Sequence, residues 1–114
     1  VNKEEKNMVK YVNAEALEEL IGSTEKTVYC DFWASWCGPC RMLAPVFEDI
    51  SDKYEDKAVF VKIDIDEEDS EAAAVKYGIT SIPNIIAFKG GKPVDNSLGF
   101  VPQAVLEKFV EKNM

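Results

Sequence analysis

The chain has no histidine and only three cysteines in 114 residues. Protein zinc sites draw about four ligands, mostly thiolate and imidazole, so this inventory speaks against a metal-centred fold. Three cysteines are also too few for the disulfide framework of a small secreted scaffold. An odd thiol suits a compartment that keeps thiols reduced, so a cytoplasmic setting is expected. Basic residues are in deficit, 13 Lys and Arg against 21 Asp and Glu for a net charge of -8. That argues against nonspecific nucleic-acid binding, in which cations neutralise phosphates. No apolar run is longer than a strand without a charge breaking it, so no segment is expected to span a membrane. The mostly polar N-terminal stretch lacks the apolar centre of a signal peptide. Six glycines and five prolines leave no low-complexity segment and no internal repeat.

What is present suits one domain. An apolar content of 46% over this length is enough for a single core. Residues 1–7 read as a flexible N-terminal extension, and residues 8–114 as the domain. Within it, Met8–Val12 reads as a strand and Asn13 as a helix N-cap. Ala16, Leu17, Leu20 and Ile21 form the apolar stripe of a helix that Gly22 would stop. Thr27–Ala34 is nearly continuous apolar and aromatic, as in a central strand buried on both faces, and Asp31 is its anomaly. Leu43, Val46, Phe47, Ile50 and Tyr54 recur at helical spacing, with Pro45 expected to bend that helix. Ala58–Ile65 is a third strand that carries Lys62 as a buried lysine candidate.

The acidic run Asp66, Glu67, Glu68, Asp69, Glu71 fails as a calcium loop. Counted from Asp64, its sixth and twelfth positions are Asp69 and Val75, where Gly and Glu are needed. It reads instead as a solvated start to a short helix over Ala72–Tyr77. A linker, Ile79–Pro83, leads to a strand at Asn84–Phe88. A hairpin turn through Gly90 and Gly91 and an edge strand at Pro93–Leu98 follow, and a last helix begins near Pro102. The order is βαβαβα followed by ββα, an α/β class.

The chemistry concentrates in Trp36, Cys37, Gly38, Pro39 and Cys40, between the second strand and the second helix. A thiol attacks a disulfide as its thiolate, and unpaired N–H groups at a helix N-terminus favour that anion. Cys37 lies at that edge and is the candidate nucleophile. Cys40, one turn on, is placed to attack a mixed disulfide on Cys37 and is the candidate resolving thiol. Pro39 suits an early helical position, and Gly38 leaves room for another backbone. A static disulfide closing this small loop, or a ligand pair for a metal, are the bland alternatives. Asp31 and Lys62 could be only a satisfied buried pair with no catalytic part, a reading that weighs more for Lys62 than for Asp31.

From Met8 to Met114 the chain resembles the thioredoxin family. The resemblance rests on DFWASWCGPCR at Asp31–Arg41, SIPNIIAFKGGK at Ser81–Lys92 and LGF around Gly99. It implies a thioredoxin fold, a central five-stranded mixed sheet in the order 1-3-2-4-5 flanked by four helices, with the dithiol at the C-terminal end of the second strand. By position it makes Cys37 the exposed attacking thiol and Cys40 the buried resolving one. Asp31 becomes the buried carboxylate beneath them, where desolvation would raise its pKa and let it take the Cys40 proton, and Lys62 becomes its neighbour, which would pull that pKa down. It places Pro83 in a cis-proline loop against the dithiol, with the Ile82 backbone ready to pair with an extended substrate. Trp36, Ile65, Ile82, Gly99 and Phe100 would form an apolar docking rim, with Gly99 allowing close approach and Trp33 packing beneath. The implied activity is reduction of protein disulfides by a monomer with no bound cofactor. Electrons would come from NADPH through thioredoxin reductase.

Two other readings stay open: an oxidase or isomerase with the same dithiol, and a binding subunit using only the rim. Gly38 and Pro39 between the cysteines resemble the reducing members. Three positions depart from the common pattern. Cys30 is extra and should point away from the Asp31 face as a small buried hydrophobe. Asn84 stands where Thr is usual after the proline, and Ser35 carries no evident mechanism.

Overall fold

Val28–Trp33 forms β2, the strand from which the rest of the fold is built outward. The computed structural model describes residues 9–114, so the proposed extension over 1–7 lies outside the described residues, as does Met8. On one side β2 pairs in parallel with β3 (Val59–Asp64), which pairs in parallel with β1 (Lys10–Tyr11). On the other side it pairs antiparallel with β4 (Asn84–Lys89), which pairs with β5 (Lys92–Leu98). The sheet is therefore mixed, five-stranded and ordered β1-β3-β2-β4-β5, with β2 at its centre. A central strand must be covered on both faces, which is why its sequence shows little polar alternation.

Four helices provide the cover: α1 (Ala14–Ser23), α2 (Gly38–Tyr54), α3 (Glu71–Lys76) and α4 (Gln103–Asn113). Leu43, Phe47 and Ile50 of α2 and Leu106 and Val110 of α4 pack with Tyr29, Ile85 and Ala87 on one face. Leu17 and Ile21 of α1 and Ala73 of α3 pack with Val28, Cys30, Phe32, Ile63 and Ile86 on the other. Each fully buried aliphatic or aromatic side chain contributes about 2 kcal/mol relative to exposure. Tyr29, buried without exposure, satisfies its hydroxyl by donating to Val110 O at 2.5 Å, which fixes α4 over β2.

The boundaries differ from expectation in physically instructive ways. The first strand shrinks to Lys10–Tyr11, although Val12 N still donates to Lys62 O at 2.9 Å. Gly22 does not stop α1: it has no positive φ, and the helix runs on to Ser23 before Thr24 turns extended. Asn13 does cap α1, its side chain accepting from Ala16 N at 2.9 Å. The acidic stretch forms a 3-10 turn, Glu68–Ser70, leading into α3. Pro45 is accommodated within α2 on its exposed side.

Candidate active site

The second helix starts at Gly38, directly after Cys37, and a cysteine side chain caps it. Cys37 is extended, with φ -87° and ψ 111°, and its Sγ accepts from Cys40 N at 3.2 Å. Ser, Thr, Asp and Asn are the usual N-caps, so a sulfur in this role is not an obvious start signal. Pro39 occupies the second helical position, where no intrahelical N–H is lost. Cys37 and Cys40 are joined as a disulfide with Cα atoms 5.2 Å apart. When that bond is reduced, a charge on Cys37 sits where the Cys40 N–H and the free end of α2 point, which lowers the cost of the thiolate.

Cys37 was expected to be exposed and is not. Its relative exposure is 5%, against 1% for Cys40. The disulfide packs with Ala34, and Trp33, Ile65 and Ile82 close over it from three segments. Only a narrow part of the sulfur stays open, still more at Cys37 than at Cys40. The Ile82-Pro83 peptide bond is cis and places Ile82 O 3.8 Å from Cys37 Sγ. Gly99 N donates to Pro83 O at 2.7 Å, so Gly99 and Phe100 are held beside the same loop. Trp36 and Phe100 are exposed, while Ile65 and Ile82 are half-buried. Of the rim positions, Ile65 and Ile82 pack against the disulfide, and Gly99 is bonded to the proline loop.

Gly99 has φ +80°, a conformation an L side chain rarely adopts, while a Cβ there would meet nothing within 4 Å. A Cβ on Gly38 would likewise meet nothing in this chain.

Asp31 is completely buried, and alternation with Tyr29 and Cys30 puts it on the face of β2 that α2 covers. Neither of its carboxylate oxygens has a hydrogen-bond partner among the described residues. Burial pushes its pKa up to about 7, against a smaller downward pull from Lys62. Lys62 stands opposite Asp31 in the β2–β3 register and is 5% exposed. Its ammonium lies over the Trp33 ring at 4.6 Å and the Tyr11 ring at 5.5 Å. The pair is close enough to interact but is not the satisfied ion pair of the bland reading. Cys30 points to the opposite face, as alternation requires, and burial pushes its thiol well above the ordinary range.

Three contributors were not singled out from the sequence. Asp66 accepts from Trp36 Nε1 at 2.6 Å and fixes the exposed indole. Arg41 donates from Nη1 to Ser35 O at 2.9 Å, tying the loop before the motif to the first turn of α2. Tyr11 covers Lys62 from β1. Each joins segments whose proximity depends on the fold. Asn84 is tied to β5, its Oδ1 accepting from Asn96 Nδ2 at 3.2 Å.

A disulfide pair at a helix N-terminus with a cis-proline beside it defines the site of a dithiol–disulfide oxidoreductase. The comparisons agree: the thioredoxin family model matches residues 8–112. A chloroplastic M-type thioredoxin from Pisum sativum is 44% identical over 106 residues, which are 93% of this chain. The chain spans 60% of the length of that pea protein. A thioredoxin from Staphylococcus aureus is 50% identical over 84 residues, covering 74% of this chain and 79% of its own length. A solved structure of thioredoxin from Malassezia sympodialis superposes with a TM-score of 0.81 at 34% identity, over 92% of this chain and 90% of that one. The chain belongs to the thioredoxin family.

Among the described residues, no group of three or more Cys, Asp or Glu side chains is arranged to hold a metal ion. No described helix is long and apolar enough to cross a membrane.

Proposed function

We propose that the chain reduces disulfides in protein substrates, with Cys37 as nucleophile and Cys40 as resolving thiol. The Cys37 thiolate attacks one sulfur of the substrate disulfide, forming a mixed disulfide and expelling the other sulfur as a thiolate. Cys40 then gives up its proton and attacks Cys37 Sγ. The Cys37–Cys40 disulfide forms and the second substrate sulfur leaves, so two electrons pass to the substrate and two remain to be restored. Asp31 takes the Cys40 proton through an intervening water: a carboxyl with a pKa of about 7 is matched to that exchange near neutral pH. Lys62 keeps Asp31 from holding its proton too tightly.

The single observation that carries this reading is the Cys37–Cys40 disulfide at the N-terminus of α2, with Cys40 N directed at Cys37 Sγ. Trp36, Ile65, Ile82, Gly99 and Phe100 are assigned to substrate docking, with Ile82 and Pro83 beside the reacting sulfur. Exposed apolar surface around a narrow sulfur suits an extended or partly unfolded segment better than a small ligand. Gly38 leaves that segment room.

Recycling is assigned to thioredoxin reductase drawing on NADPH, so the chain is an electron carrier with no resident cofactor. It acts as a monomer in a reducing compartment, the cytoplasm being the first choice on its sparse cysteines. Substitution tests the mechanism. Cys37→Ser should abolish turnover of a disulfide substrate such as insulin, and Cys40→Ser should accumulate a mixed disulfide visible by mass spectrometry. Full turnover by Cys37→Ser would overturn it.

A further inference from the structure

We infer that Tyr11 is a positioning residue for the proton chemistry at Asp31, acting by holding the Lys62 ammonium in place. The inference rests on the reading of Asp31 as the proton carrier. Three strands put the groups in one row: Tyr11 of β1 stands opposite Lys62 of β3, and Lys62 opposite Asp31 of β2. In-register neighbours on parallel strands project from the same face, so the row runs from the sheet edge to the carboxyl.

The Lys62 ammonium lies 5.5 Å from the centre of the Tyr11 ring and 4.6 Å from that of Trp33, and the two rings meet edge to face at 5.9 Å. Two aromatic faces thus bracket one cation. Tyr11 itself is 67% exposed while Lys62 is 5% exposed. The ring buries little of itself and covers the lysine.

A cation held this way keeps a fixed distance to Asp31 and is shielded from water. Without the Tyr11 ring the ammonium gains water and can turn outward along its flexible stem. Its field at Asp31 then weakens, and the carboxyl holds its proton more tightly. The other groups facing this row are few. Asp64 follows two residues along β3 on the same side. From α2 come Cys40 on the buried face and, by helical spacing, Glu48 and Asp52 on the flank away from Lys53, which pairs with Glu107 of α4. Of the charges on α4, Glu107 is paired with Lys53, and Asn113 ties the end of the helix to Asp95 of β5. None of these groups depends on Tyr11.

The experiment is a carbon-13 NMR titration of the Asp31 carboxyl in the disulfide form, where no thiol at the site titrates with it. The parent, Tyr11→Leu, Tyr11→Phe, Lys62→Met and the Tyr11→Leu/Lys62→Met double variant are compared. Tyr11→Leu should raise the Asp31 midpoint by about half a pH unit, roughly a threefold change in the ratio of protonated to ionised carboxyl. Tyr11→Phe, which keeps the ring, should titrate like the parent. Lys62→Met should raise the midpoint further, and adding Tyr11→Leu to it should change nothing. An unchanged or lowered midpoint in Tyr11→Leu overturns the inference, as does a shift that survives in the Lys62→Met background. Insulin turnover by the parent is measured separately. Its absence would remove the reductase reading and leave the titration standing, so the two failures are distinguishable.

Discussion

Cys30 and Asp31 are consecutive residues of the same strand, both with 0% exposure and both titratable, yet their surroundings differ in kind. Cys30 faces Leu17, Ile21, Val28 and Phe32, a layer built mainly of apolar side chains in which a thiol behaves as a small hydrophobe. Asp31 faces the α2 side, with two oxygens that have no hydrogen-bond partner among the described residues and a lysine in register. Burial alone therefore does not mark the reactive side of β2. The marker is a polar group whose desolvation is left uncompensated, since ordinary cores satisfy such groups.

The comparison can be broken most severely by moving the carboxylate across the strand. Cys30→Asp would bury a carboxylate where no cation faces it, at a cost of about 4 kcal/mol or more, much of the whole stability of a domain this size. Circular dichroism should show loss of cooperative folding near pH 7.5, with partial recovery near pH 4.5 where the group is neutral. Parent-like unfolding would mean the two faces are equivalent.

Next in size is Asp31→Asn. The native carboxyl keeps its proton up to about pH 7, whereas the unfolded chain releases it near its ordinary value of 3.8. Between those values the native state binds the extra proton, so the Asp31 contribution to stability falls as pH rises through the window and is level above it. Removing the titration should stabilise the protein by up to about 4 kcal/mol at pH 8 and by almost nothing below pH 4. Urea unfolding at the two pH values checks this. The same variant should slow release of substrate from the mixed disulfide at neutral pH. A pH-independent difference would contradict the assigned protonation.

The smallest effect sharpens the contrast. Cys30→Ala should cost about 1 kcal/mol from the lost sulfur contacts, while disulfide turnover and its pH profile remain those of the parent. A change in the pH profile would give Cys30 a part in the chemistry.

Much of this site was legible before any coordinates. Asp31 and Lys62 stood out because a charge in an apolar strand is rare, and the helix edge placed Cys37 from residue types alone. The element order followed from hydrophobic period, and the sheet order from the family resemblance. The cis bond at Pro83 came from that resemblance too, because an X-Pro pair in a linker is compatible with either isomer. Other features were hidden for definite reasons. The thiol cap of α2 lies outside the usual capping residues, so no local signal marked the Cys37 side chain as the cap. The burial of Cys37 depends on Ile65 and Ile82, which reach it only through the third strand and the proline loop. The Trp36–Asp66 bond and the rings around Lys62 join segments far apart in sequence, and no local pattern records them. Gly22 looked like a stop because glycine often ends helices, but here the backbone stays helical and Thr24 ends it.

The most direct test of the whole account is the equilibrium reduction potential of the Cys37–Cys40 pair, titrated against a thiol–disulfide buffer while Trp33 and Trp36 fluorescence is followed. The account predicts a potential well below that of the glutathione pool, so that the disulfide is the stable form and the dithiol a strong reductant. A potential above the pool would make the disulfide an oxidant of substrate thiols and would contradict the reductive direction assigned to this site.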